Sequence, residues 1–220
     1  MLKSSYSSDP DVYEIGVDEA GRGPLLGRVY SAAVILPKDN FDFAKIKDSK
    51  KFHSKKKIEE VANYIKENAL YWSVSYEDEE TIDRINILKA TQWSMHKNIN
   101  KIFEKCYKDE HQYLLLIDGN YFMPYVRING ENTEKINHIC IESGDNQYAS
   151  IAAASILAKV CRDAYIDQLC EDNPVLKERY SIHTNKGYAA KKHRDGIKEH
   201  GISKWHRKTF GICKNYNVKL

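Results

Sequence analysis

Four carboxylates carry the most chemical potential in the sequence: Asp18 and Glu19 side by side, Asp118, and Asp145. Each stands at, or just past, the end of a short apolar run, at residues 12–18, 113–117 and 136–141. Such runs read as strands, and acids at strand ends lie on the rim of a sheet. There they face a metal or a ligand without burying an unpaired charge. If gathered together, four carboxylates repel one another, and some stay protonated unless a cation sits among them. Donors that are all oxygen favour Mg²⁺ or Mn²⁺ over zinc. Two such ions, about 4 Å apart, activate a water and stabilise a leaving oxygen, which is the chemistry of phosphodiester hydrolysis. Whether the acids converge depends on the three strands being neighbours, and the sequence leaves that open.

A glycine-rich turn, Gly21-Arg-Gly-Pro24, follows the first pair of acids at once. Glycines let the backbone approach closely whatever sits before those acids, and leave N–H groups free for a phosphate or sugar oxygen. Charge is uneven although the net value is only +3. Residues 45–57 hold seven lysines and one Asp, and residues 186–210 hold eight Lys/Arg against two acids. Basic stretches beside clustered acids suggest a polyanion held against a metal site.

The elements that must position these groups follow from hydrophobic period and punctuation. Residues 1–11 read as a loose tail. Strands are expected at 12–18, 28–36, 70–76, 113–117 and 136–141. The second, Arg28-Val-Tyr-Ser-Ala-Ala-Val-Ile-Leu36, is apolar enough to be buried on both faces. Ser54 is placed to cap a helix running to Asn68. A short helix opens in the acidic stretch 77–83 and breaks near Asn86. A long helix then carries Leu88, Met95, Ile99, Ile102 and Cys106 as a core stripe. A further helix spans 148–169, its Ala152, Ala153, Ala154 and Ala158 giving a slim face for close packing. The last is expected at 189–200, stopped by Gly201. Strands and helices alternating after an initial strand pair predict an α/β fold with a mixed central sheet flanked by helices.

At 220 residues the chain fits one well-packed domain with a small C-terminal extension. No apolar run approaches membrane-spanning length. The five cysteines are odd in number and form no CxxC pair, so reduced thiols and a cytoplasmic location are expected.

Taken together in order, the motifs resemble those of ribonuclease HII, the type 2 ribonuclease H family. Gly16-Val-Asp-Glu-Ala-Gly-Arg-Gly-Pro24 resembles the family's opening motif. Asp48-Ser-Lys-Lys51 resembles its DSK loop, and Asp118-Gly-Asn120 its third acidic motif. Gly144-Asp145 with residues 150–163 resembles the fourth acid and long helix, and Lys186-Gly-Tyr188, His193, His206-Arg207 and Phe210 the C-terminal pattern. The resemblance implies a ribonuclease H-like fold in a single domain, residues 1–220, with a catalytic core at about 12–172 and a helical C-terminal part at about 173–220 that closes over substrate. It also implies a metal-dependent endonuclease that cuts the RNA strand of RNA–DNA hybrids. Incision would fall 5′ to ribonucleotides embedded in duplex DNA and leave 3′-hydroxyl and 5′-phosphate ends. Departures are Phe52 for the usual Leu, Ala189-Ala190 for the usual Gly-Thr, and the stretch 146–149.

By that resemblance Asp18, Glu19, Asp118 and Asp145 are the catalytic, metal-binding acids, served by Mg²⁺ or Mn²⁺, two per site during catalysis. Gly21, Arg22, Gly23 and Tyr188 would read the ribonucleotide 2′-hydroxyl and the neighbouring deoxyribose. Lys50, Lys51 and the 186–208 region would hold phosphates, whereas Lys55, Lys56 and Lys57 read as a solvated face. His193 and His206 suit a core or phosphate role better than a metal one. Ser150 and Lys159 read as structural. The expected partner is nucleic acid, with no membrane, and the chain is expected to act as a monomer. Two alternatives stand beside this reading. One is a ribonuclease HIII-like enzyme acting on longer hybrid tracts, disfavoured by Arg22 and Asp145. The other is a non-catalytic nucleic-acid-binding protein on the same fold.

Overall fold

The apolar runs meet in one five-stranded sheet. A computed structural model describes residues 2–108, 111–129 and 132–220. Strand β1 (Val12–Ala20) lies at the sheet's centre, hydrogen-bonded antiparallel to β2 (Val29–Ile35) and parallel to β4 (Gln112–Asp118). β3 (Tyr71–Glu77) extends the sheet beyond β2, and β7 (Asn137–Ile141) lies parallel beyond β4. The order β3-β2-β1-β4-β7 therefore makes the three acid-bearing strands neighbours. β2 is buried along its whole length, as its unbroken apolar run predicts.

Helices cover both faces. α4 (Ala149–Asp172) and α1 (Lys55–Asn68) pack on one face through Ala32, Val34, Ala62, Ile65, Ala152 and Ala153. α3 (Ile87–Cys106) packs on the other against Ile15, Val17, Ala33, Leu115 and Ile117. Gly16 is the reason α4 can lie so close. A Cβ there would fall 2.2 Å from the Ser150 carbonyl carbon, so only glycine admits the helix backbone. Alternation then places Glu14, Gly16 and Asp18 together on the opposite side of β1 from Ile15 and Val17. A buried polar network joins α3 to the sheet, with Ser31 Oγ 2.6 Å from Ser94 Oγ and Asn98 bonded to both Ser31 and Ser73.

Ser54 accepts the Lys57 N–H at the start of α1. Asn86, at φ 68°, separates α2 (Glu79–Ile85) from α3 and caps the latter through Lys89 N–H. C-terminal to α4, the short helices α5 (Val175–Tyr180) and α6 (Ile182–Asn185) and then α7 (Lys191–His200) surround Leu26, Ile166, Tyr180 and Ile197. Gly201 ends α7 as expected.

Three expectations need correction. The N-terminal tail is not loose: Lys3 pairs with Tyr148 as a parallel bridge, and Tyr6 and Ser7 bond to Glu14. Leu88 does not belong to the core stripe of α3: it is 40% exposed, while Ile87 and Ala90 of the same turn pack against Val29 and Ile82. A hairpin of β5 (Val126–Asn129) and β6 (Asn132–Lys135) was not foreseen, because its sequence is mostly polar and its two apolar side chains, Val126 and Ile128, are exposed.

Candidate active site at the carboxyl ends of the central strands

β1 ends by presenting Asp18 and Glu19, and β4 ends on Asp118. The loop after β7 turns through Ser143, in a left-handed conformation at φ 53°, into a 3-10 turn over Gly144–Asn146 that carries Asp145. Asp118 Oδ1 reaches across to accept the Gly144 N–H at 2.7 Å. That bond ties the third acid to the backbone of the fourth. Asp18 and Asp145 are 4% and 3% exposed, so both carboxylates have surrendered most of their water.

Burial raises the Asp18 pKa well above the usual carboxylate range, and the charges of Glu19 and Asp118 add to the rise. Ser155 bonds the Asp18 side chain and partly opposes it. Glu19 is also raised by burial, against the pull of Arg22, whose Nη1 lies 3.2 Å from its Oε1. Asp118 is raised by burial and then by Asp145. Lys50 answers from the 49–51 turn. Its Nζ is 3.5 Å from Asp145 Oδ2, and although burial works to lower its pKa, Asp145 and Asp48 hold it above the usual value. Lys51 Nζ donates to Asn146 Oδ1 at 2.8 Å. The 48–51 loop is thus docked on the turn that carries Asp145, with Ser49 Oγ 3.0 Å from Ser155 Oγ of α4.

Among the described residues no three His, Cys, Asp or Glu side chains are already closed around a point as a metal cage. The donor chemistry nonetheless fits a hard divalent cation. Three mutually repelling acids have raised pKa values, and all the donors are oxygens. Asp18, Glu19, Asp118 and Lys50 line a cleft of about 480 Å³ together with Arg162, Asp163 and Tyr188.

The glycine turn forms the cleft's wall, and its shape is set from far along the chain. Arg207, fully buried, donates to the carbonyls of Gly21, Arg22, Pro24 and Gly27 at 2.6 to 2.9 Å. Because each peptide is planar and trans, the N–H groups of Arg22 and Gly23 point away from Arg207. Burial lowers the Arg207 pKa to about 9, still high enough to keep the guanidinium charged near neutrality. Gly21 has φ +93°, and a Cβ there would lie 2.2 Å from Arg162 Nε. Gly23 faces the Tyr188 ring, 3.6 Å from where its Cβ would be.

Tyr188 is half exposed, and its backbone is fixed by a relay. The Ser203 N–H donates to His206 Nδ1, so neutral His206 carries its proton on Nε2. That proton goes to His193 Nε2 at 3.0 Å, and His193 Nδ1–H donates to the Tyr188 carbonyl at 2.8 Å. Burial lowers both imidazole pKa values, that of His206 to about 3. The two histidines are therefore neutral core groups.

Placement departs from expectation in the 186–208 region. Lys186 is ion-paired with Asp167, Lys191 and Lys198 share Asp195, and Arg207 is buried under the turn. Lys186 and Arg207 are thus engaged within the protein, whereas Lys191 and Lys198, beside an acid of their own helix, keep side chains 86% and 60% exposed. Lys55 is paired to Asp167 and Glu59, with its side chain still 64% exposed. Arg162, Ser155 and Ser49 are cleft residues that sequence reasoning did not select. A signal existed for Arg162: it falls four residues from both Ala158 and Ile166, a cation within a buried stripe.

Comparison with known proteins agrees over nearly the whole length. The family model for ribonuclease HII matches residues 15–213. A ribonuclease HII of Bacteroides thetaiotaomicron is 44% identical over 210 residues, covering 96% of this chain and 95% of the relative. The crystal structure of ribonuclease H2 from Pyrococcus horikoshii superposes with a TM-score of 0.67 at 21% identity, covering 92% and 95% of the two chains. That of Bst-RNase HIII in complex with Mn²⁺ superposes at 0.65 and 17% identity, covering 93% of this chain and 68% of the other. At such identities the two structures speak for the fold.

Proposed function

The chain belongs to the ribonuclease HII family, endoribonucleases that hydrolyse the RNA strand of RNA–DNA hybrids, and from that premise we propose that it incises duplex DNA 5′ to an embedded ribonucleotide. Asp18, Glu19, Asp118 and Asp145 would hold Mg²⁺ or Mn²⁺. The observation that carries the reading is the meeting of three strand ends, where burial and the neighbouring acids raise the pKa values of Asp18 and Asp118. A divalent ion bound there supplies a water of lowered pKa and charge stabilisation at the leaving 3′ oxygen. The likeness to a Mn²⁺-bound fold relative supports that choice of ion.

The protein's own groups do the rest. The outward N–H groups of Arg22 and Gly23 suit a sugar or phosphate oxygen, and a 2′-hydroxyl is the group that separates RNA from DNA. The half-exposed Tyr188 ring stands opposite Gly23, placed to stack beneath the next deoxyribose. Lys50 and Lys51 bring positive charge to the rim beside Asp145, where a backbone phosphate would lie. Ser155 fixes the orientation of Asp18.

The test compares two labelled duplexes in Mg²⁺ and in Mn²⁺: DNA with one internal ribonucleotide, and a continuous RNA–DNA hybrid. Cleavage of the first, 5′ to the ribonucleotide and leaving a 3′-hydroxyl, is the expected result. Cleavage of the continuous hybrid alone would overturn the incision reading and point to Ala189-Ala190 as the cause.

A further inference from the structure

We propose that the N-terminal segment 2–7 is a brace that sets the position of Asp145, and that Glu14 is the positioning residue that anchors it. The inference rests on the catalytic role proposed above for Asp145. Glu14 points from β1 to the same side as Asp18 and is 8% exposed. Its carboxylate is held by the main chain of the tail: the Tyr6 N–H lies 2.9 and 3.0 Å from its two oxygens, and the Ser7 N–H donates at 2.6 Å. Charge-assisted bonds of this kind are the strong ones, and they fix the tail against the strand that carries Asp18 and Glu19.

From that anchor the tail crosses to the joint between the Asp145 turn and α4. The Lys3 N–H donates to the Gln147 carbonyl at 2.8 Å, and the Lys3 carbonyl accepts the Ala149 N–H at 2.9 Å. The Tyr6 and Tyr148 rings meet at 5.5 Å. The first N–H groups of any helix have no partner within it. α4 begins at Ala149 with no side chain capping it, so the Lys3 carbonyl supplies what a capping residue would. The Asp145 turn is then held from both ends. On one side Gly144 N–H bonds to Asp118; on the other the Gln147 and Tyr148 N–H groups bond to the Gly144 carbonyl, with Lys3 clasping residues 147 and 149. Glu14 and the tail touch neither the cleft nor its acids, so their effect would pass through the backbone of residues 144–149.

Three full-length variants test this: Glu14→Ala, Glu14→Gln and Lys3→Pro, the last removing the N–H given to Gln147. Readouts are amide hydrogen exchange, the Mg²⁺ and Mn²⁺ activation midpoints, and kcat and KM on the ribonucleotide-containing duplex. For Glu14→Ala and Lys3→Pro, exchange should accelerate at residues 144–149 while β1 and β4 stay protected. The metal midpoint should rise and kcat fall by about 10-fold, with KM within about twofold, as for removal of a group that orients a ligand. Glu14→Gln, which keeps one accepting oxygen, should fall between. Unchanged exchange at residues 144–149 would overturn the brace, and so would faster exchange with kcat and midpoint both unaltered. Asp145→Asn, run beside them, separates the two readings. Wild-type kcat in that variant would remove the role of Asp145 itself, while the exchange data would still decide whether the tail holds the turn.

Discussion

The acids at the ends of β1 and β4 and the imidazoles behind Tyr188 are both buried ionisable groups, yet the two clusters resolve the cost of burial in opposite ways. The histidines give up their charge. Each ring nitrogen finds a partner, from Ser203 N–H through His206 and His193 to the Tyr188 carbonyl, and burial holds both rings neutral. The carboxylates keep a shortage of positive charge. Burial and mutual repulsion raise Asp18, Glu19 and Asp118, and among the described residues Arg22 and Lys50 are the cations that ion-pair with the four acids of the site. A satisfied network makes a scaffold, whereas an unsatisfied one keeps an appetite for a ligand, at some cost in stability.

The sharpest way to break the contrast is Asp118→Asn. It removes one charge but keeps the acceptor for Gly144 N–H, so melting temperature should hold while kcat falls by about 100-fold or more. Single-turnover cleavage together with a thermal melt checks it. Next is Arg207→Met, on the scaffold side. Four carbonyls lose their donor, and the cost should be on the order of 3 kcal/mol in chemical denaturation, with substrate KM rising in the surviving folded fraction.

The histidine pair gives a pH signature. Its folded pKa values lie below the unfolded value near 6.5, so the unfolded chain takes up protons first as pH falls. Stability from these groups is complete above about pH 6.5 and drains away as pH falls through their lowered folded values, that of His206 about 3, with a slope of up to about 1.4 kcal/mol per pH unit for each histidine. Urea melts between pH 7 and 5 should show that slope, and His206→Asn should flatten it. The smallest effect has the opposite sense. The folded pKa of Asp18 is raised, so its contribution is favourable below the unfolded carboxylate range and lost as pH rises through the folded pKa. Asp18→Asn should therefore stabilise the metal-free protein near pH 8, on the order of 1 kcal/mol, while abolishing activity. A variant less stable than wild type in metal-free buffer would contradict the contrast between the acids and the histidines.

Much of this architecture was legible because it rests on apolar period. The five strands of the main sheet, the Asn86 break and the Ser54 cap all announce themselves through side-chain pattern. The acids' strand-end placement could be read as well, but their convergence could not, since strand order is a long-range property. What the pattern missed is held by backbone or by single polar residues. The tail pairs through main-chain groups that any sequence possesses, and the only hint was Glu14, a charge inside an apolar strand. Arg207 was legible as part of the C-terminal motif and of a phosphate-holding basic stretch, yet it is the buried pillar of the glycine turn.

That pillar has a consequence for the order in which the protein is made. The turn leaves the ribosome well before the guanidinium that shapes it, which lies 186 residues later. A nascent or prematurely ended chain can carry all four acids and still lack the anchor of the wall that faces them. Synthesis must therefore pass Arg207 before the cleft has its shape, and until then the acids stand without the wall that would seat a substrate against them.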